Sequence, residues 1–240
     1  MITIFSVSIK KRFIKPLLLL TGFWILVVVA TAQVLKHDYI WLMSDYTRNI
    51  MVMDFHKPMD STNVTLKQVK NYFRLASPNA TINNAEGQLV AYSNGCMVNN
   101  AQFDLMENGQ QINPGQIHRE NCPAGYYPSG EQGAVFIPDP GDSLRYYLLH
   151  ASIGIQDFPI LKAWVEALRF SIVDLSFNNG LGKVVLKNIP FSNDTTVMRE
   201  FGIVKHLNNS SYWILVKKYL VPQYNKYLLD EFGISYYGTQ

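Results

Sequence analysis

Two cysteines, five histidines and a few aspartates are the residues with which this 240-residue chain could do chemistry. Cys96 and Cys122 stand at the two shoulders of a long polar stretch. If the chain is exported, an oxidising compartment favours one disulfide between them, worth about 3 kcal/mol through the unfolded state. His37, His56, His118, His150 and His206 fall in no HxH, HExxH or Cys/His ligand spacing, so no metal is assigned. His150 ends a strand pattern and His206 precedes a turn, positions where an imidazole hydrogen-bonds a neighbouring backbone group. Asp139, Asp142, Asp157 and Asp174 are the acids available for the paired-carboxylate chemistry of a glycosidase. Asp139 and Asp142 belong to a Pro/Gly turn, where Asp caps backbone donors. Asp174 is expected to bond the amides of the loop from Asn178 to Gly182. No GxSxG is present, and Gly180-Leu181-Gly182 lacks the third glycine and following helix of a nucleotide site. The reading therefore assigns no catalytic residue, cofactor or metal.

Surface aromatics could stack on sugar rings at Tyr126-Tyr127, Tyr146-Tyr147 and Tyr236-Tyr237. Side chains alternate across a strand, so one member of each strand pair is expected in the core. Asn63, Asn79, Asn193 and Asn209 head N-glycosylation triplets, of which an Asn-rich chain holds several by chance.

Lys10, Lys11, Arg12 and Lys15 precede an uncharged run from Pro16 to Val29. The small residues Ala30, Thr31 and Ala32 before Gln33 are spaced as a signal peptidase requires, so residues 1–32 read as a signal peptide. The apolar helix of about 17 residues is short of the roughly 20 that span a bilayer. An uncleaved signal anchor of the same topology is the alternative, and in either case the basic flank puts the bulk of the chain outside. The formal net charge is +3, and those four cations account for all of it, leaving a nearly neutral remainder. That excludes the basic stripe with which a protein displaces counterions from nucleic acid.

The elements that must position these residues read as β-rich. Charged residues are 16% and aromatic residues 13%, a composition for buried strands and not for a disordered tail. Strand patterns occur at 39–42, 50–53, 79–82, 88–92, 134–137, 145–149, 168–175, 183–186, 202–204, 212–216 and 227–229. Ala85-Glu86-Gly87 reads as a hairpin turn, Pro138 to Asp142 as a reversal, and Asn178-Asn179-Gly180 as a turn. Residues 94–130 read as an elaborated loop. Phe158 to Ala167 fits one or two helical turns with Ile160, Ala163, Trp164 and Ala167 on one face, though periodicity alone does not settle so short a run.

Several segments, in order, carry a resemblance. They are Ala85-Glu86-Gly87-Gln88-Leu89-Val90-Ala91-Tyr92-Ser93-Asn94-Gly95, then Phe136 to Gly141 leading to Tyr146 to His150, then Ile172 to Ser176 with Asn178 to Val185, and last Lys205-His206 with Tyr212 to Leu215. From about Tyr39 onward the chain resembles large secreted proteins of Bacteroidetes with an N-terminal β-propeller-like region, which often end in a type IX secretion sorting domain. No such sorting domain is seen here. The family pattern has an acidic turn after Lys205-His206, where this chain has Leu207-Asn208-Asn209-Ser210-Ser211. The resemblance implies an all-β, propeller-like array of short antiparallel strands across 33–240. At about 40 residues per blade that is two or three blades, fewer than a closed ring, so a truncated propeller with an open β edge is expected. The functional expectation is a non-enzymatic extracellular or cell-envelope binding or scaffold protein, secreted or on the cell surface. Its partner would be an extracellular protein or a glycan, with no nucleic acid and with membrane contact only through the N-terminal segment. A membrane-anchored sensor or adhesion ectodomain is the alternative, and a secreted hydrolase a third.

Overall fold

A computed structural model describes residues 36–44, 49–56, 64–68, 74–75, 78–130, 132–156, 162–192, 194 and 197–240. The export segment, its N-terminal helix and the cleavage residues Ala30, Ala32 and Gln33 lie outside them, as do Asp157, Asn63 and Asn193. Among the described residues no helix is long and apolar enough to cross a membrane.

The fold is all-β and is built as four antiparallel meanders in chain order. The first sheet holds β1 (Ile40–Ser44), β2 (Asn49–Asp54) and β3 (Val64–Gln68). The second holds β4 (Ala80–Asn83), β5 (Leu89–Ser93) and β6 (Val98–Asn100). The third has β7 (Ala134–Pro138), β8 (Arg145–Gln156), β9 (Lys162–Asp174) and β10 (Lys183–Ser192). The fourth has β11 (Val197–Lys205), β12 (Tyr212–Lys218), β13 (Tyr224–Asp230) and β14 (Gly233–Thr239). Every strand pairs with its neighbour in sequence, as expected where short polar turns separate β-branched and aromatic runs. Four sheets form where length predicts two or three blades, because the first two make do with three short strands each.

The sheets are separated by three apolar cores, which the side-chain alternation of the strands makes plain. On β8, Tyr146 and Leu148 point into one core with Ile82, Val90 and Phe136, while Tyr147, Leu149, Ala151 and Ile153 point into another with Ile214, Val216 and Leu229. β8 is thus covered on both faces, so both Tyr146 and Tyr147 are buried, not one of the pair. The remaining core joins Leu42, Ile50 and Val52 of the first sheet to Tyr92 of the second. The order is sheet, core, sheet throughout. The first strand of each sheet adjoins the first strand of the next, β1 on β4, β4 on β7 and β7 on β11. Asn79 donates to Leu42 O at 2.7 Å and Asn83 donates to His37 O and Ile40 O at 3.2 Å, satisfying carbonyls where β1 meets β4.

The two end sheets leave apolar side chains on their outer faces. On the first sheet the register aligns Trp41, Met53 and Val64 in one row and Met43, Met51 and Leu66 in the next. Trp41 is 51% and Leu66 70% exposed. On the fourth, Val204, Trp213 and Leu228 are cross-strand neighbours.

The structure resolves one segment that periodicity left open and extends another. Residues 162–167 are strand: Val165 and Ala167 are buried and Glu166 is exposed, a period of two. Their partner explains it. Trp164 pairs with Gly154, and its ring lies where a Cβ on Gly154 would come within 2.8 Å, so the indole occupies the space that the missing side chain leaves. The segment 94–130 is more than a loop. It contributes β6, a helix α1 (Gln116–Asn121) and a short 3-10 turn (Cys122–Ala124). Asn178 and Asn179 both take left-handed φ, 54° and 53°, as the turn ahead of β10 requires.

Candidate functional site

The sequence-expected residues fall into separate places. Cys96 and Cys122 are joined in a disulfide across 26 positions, with Cα atoms 5.6 Å apart. The Asn94 side chain braces this link, donating to Gly125 O and accepting from Cys96 N–H. His118 lies one turn before Cys122 on α1 and bonds Ile112 O at 2.9 Å. His37 donates to Asn83 O, and His56 pairs with Asp54 at 2.8 Å. His206 accepts from Asn208 N–H, the neighbouring-backbone role expected of it. In the same turn the Asn208 side chain accepts from the amides of Ser210 and Ser211. Among the described residues no group of three His, Cys, Asp or Glu side chains is disposed to hold a metal.

Of the four candidate aspartates, the three that are described are tied into turns or an ion pair. Asp139 accepts from Gly141 N–H and Asp142 from Leu144 N–H, both as turn caps. Asp174 does not reach the 178–182 amides. It accepts from the Ser176 amide and hydroxyl and from Arg145 Nε at 2.8 Å. The reason is register: Arg145 and Lys183 both pair with Asp174 across the sheet, which puts the guanidinium closer than the loop. Burial alone would raise the Asp174 carboxyl, but the bonds from Ser176 and Arg145 outweigh it and hold it below the usual range. Burial pushes Asp139 up, against the Gly141 amide that opposes it.

At a strand end, His150 is predicted to bond neighbouring backbone. Instead it sits between two side chains, Asn113 Oδ1 at 2.6 Å and Ser171 Oγ at 3.0 Å. Asn113 spends its NH2 on Gly95 O, so its oxygen accepts and the imidazole proton is assigned to Nδ1. Ser171 accepts from Asn188 N–H and turns its own hydroxyl to Nε2. The order is nucleophile, base and orienting group, as in a hydrolytic triad. Access is what it lacks: His150 and Ser171 are 0% exposed, so no substrate carbonyl reaches Ser171 Oγ. Burial, with Arg169 nearby, lowers the His150 pKa to about 3 and keeps the ring neutral. The network is a clasp that fastens the 95–113 segment to β8, β9 and β10.

A cleft of about 310 Å³ opens between the end of β10 and the inner face of the fourth sheet. Phe191 meets Tyr227 edge to face at 5.2 Å, and Tyr227 meets Tyr236 at 5.5 Å. The register of β13 against β14 sets this up. Tyr236 pairs with Tyr227 and shares its inner face, while Tyr237 turns to the outer face, 5.0 Å from Trp213. A bulge follows at Tyr237, with Lys226 paired to Gly238, and it brings Thr239 opposite Asn225. The polar side is one connected chain. Tyr236 OH meets Thr239 Oγ1 at 2.7 Å, Thr239 donates to Asn225 Oδ1 at 2.7 Å, and Asn225 donates to Asp194 Oδ2 at 3.0 Å. Lys218 Nζ stands 3.7 Å from the same carboxylate oxygen. Burial raises the Tyr227 phenol; hydrogen bonds to Ser192 and Asn225 oppose this, and Asp194 adds to it.

Of the cleft residues, only Tyr236 stands out in the sequence as a candidate. Lys218, Asn225 and Thr239 carry no motif, Asp194 falls only within the Asn193 glycosylation triplet, and it is the pairing of β12, β13 and β14 beside the end of β10 that gathers them. No known family, curated protein or solved structure matches the chain.

Proposed function

We propose that the chain is a non-enzymatic extracellular or cell-envelope protein whose sheets are blades of a propeller-like binding scaffold. The observation that carries this reading is the succession of meanders whose first strands, β1, β4, β7 and β11, adjoin in chain order. Propellers are built this way, with each meander radiating from a shared axis. The apolar outer faces of the first and fourth sheets support it further, since between the four sheets every such face meets another sheet. The Cys96–Cys122 disulfide fits an oxidising compartment, as does the basic and apolar leader. Binding falls to the cleft between the third and fourth sheets.

Expression of the full chain in a diderm bacterium, followed by fractionation and intact-mass measurement, tests the location. A chain beginning at Gln33 with the cysteine pair oxidised, recovered outside the inner membrane, is the expected result. A cytoplasmic chain beginning at Met1 with free thiols would refute it, and a Met1 chain held in the membrane would replace secretion by anchoring. Spin-label distances test the architecture. Radiating blades put labels at Trp41 and Val204, on β1 and β11, closer together than labels at Thr65 and Tyr237, on β3 and β14. Equal separations, as in a stack of parallel layers, would rule the propeller out.

A further inference from the structure

We propose that the cleft between β10 and the inner face of β12–β14 binds a neutral saccharide, with the Tyr236 ring as its stacking platform. The ligand class follows from three properties of the cleft. First, its charges cancel: Asp194 and Lys218 face each other at 3.7 Å, so the site offers neither the cationic excess that holds phosphate or uronate nor a free acid for a cationic guest. Second, its polar groups mix roles within a short arc. A carboxylate accepts, an ammonium donates, and the Thr239 and Tyr236 hydroxyls do both. Vicinal sugar hydroxyls donate and accept at once, so they can bond to the lone pairs and ammonium protons that this arc leaves over, which an aliphatic or aromatic guest cannot use. Third, one wall is aromatic and open. Tyr236 is 60% exposed, whereas the Tyr227 ring behind it is 3% exposed and held by Phe191. A ring that is braced behind and bare in front suits the apolar C–H face of a pyranose. The volume lies at the lower end of the range for ligand sites, about 300–1,000 Å³, and so fits one or two sugar rings rather than a long chain.

This inference rests on reading the chain as a binding protein, but not on the propeller, since every group in it belongs to the third and fourth sheets or to Asp194 just after β10. The test uses the full chain in affinity electrophoresis through gels carrying dextran, laminarin, mannan or xylan. Calorimetry with the hexasaccharide of any polymer that retards it follows. Retardation by at least one neutral polymer is expected, weakened about tenfold by Tyr236→Ala, the loss of ~1.4 kcal/mol. Asp194→Asn weakens it severalfold, and Tyr237→Ala on the opposite face leaves it unchanged. A thermal melt shows that Tyr236→Ala folds, as its exposure implies. Retardation by no neutral polymer, retention that survives Tyr236→Ala, or binding only to polygalacturonate or heparin would each overturn the proposal. Spin-label distances that contradict the propeller would leave it standing.

Discussion

Acid should loosen this fold through one residue, His150. In the native state its ring is buried between Asn113 and Ser171, with its pKa lowered to about 3; in the unfolded chain it returns to about 6.5. Between these values the unfolded chain binds a proton that the native state refuses. Its contribution is therefore complete above pH 6.5 and is lost as pH falls toward 3. Each pH unit in that window costs about 1.4 kcal/mol, so roughly 3 kcal/mol has gone by pH 4, a large part of the ~5–15 kcal/mol typical of a domain. Urea unfolding between pH 7.5 and 4, with the disulfide intact, measures the slope. The informative quantity is the difference between wild type and His150→Gln, because Asp174 and Glu107, both held below their usual range, also lose stabilisation near and below pH 4. His150→Gln starts less stable at pH 7.5, having lost part of its bonding to Asn113 and Ser171, and then falls less steeply. Equal slopes would refute the reasoning, as would an imidazole resonance of His150 that titrates near pH 6.5 in the folded protein.

Three further outcomes follow from the same structure. Replacing both Cys96 and Cys122 with Ala should lower the unfolding free energy by about 3 kcal/mol, and reduction of the wild type should lower it to a similar degree. Gly154→Ala should cost about 1–3 kcal/mol, because the added methyl meets the Trp164 ring; a parallel change in indole fluorescence would place the strain there. Asp174→Asn should cost about 1.5–3 kcal/mol, through weaker bonds from Arg145 and Ser176, and should reduce the loss of stability below pH 4. Denaturant midpoints at pH 7 and pH 3.5 check both halves of that statement.

Local signals carried most of the fold and little of the site. Runs such as Ala134–Ile137, Arg145–Leu149 and Tyr212–Val216 are strands in their own right, and their turns are written in Pro138 to Asp142 and Asn178 to Gly180. What was illegible depended on pairing. β14 is bounded by Gly233 and contains Gly238, residues that weaken any strand signal, yet four ladder pairs to β13 on one side of the bulge and two on the other hold it in the sheet. Residues 162–167 are ambiguous in the sequence because Ala163, Trp164 and Ala167 also fit helical spacing; the partner that makes them strand, Gly154, lies ten residues upstream of Trp164. The buried clasp is the same lesson in polar form. Asn113, His150, Ser171 and Asn188 come from a loop and three strands, and only the meander brings them within hydrogen-bond reach. The cleft depends on register most of all. Without the β14 bulge Gly238 and not Thr239 would stand opposite Asn225, and the polar chain from Tyr236 to Asp194 would lose its middle link to a one-residue shift that composition and motif are blind to.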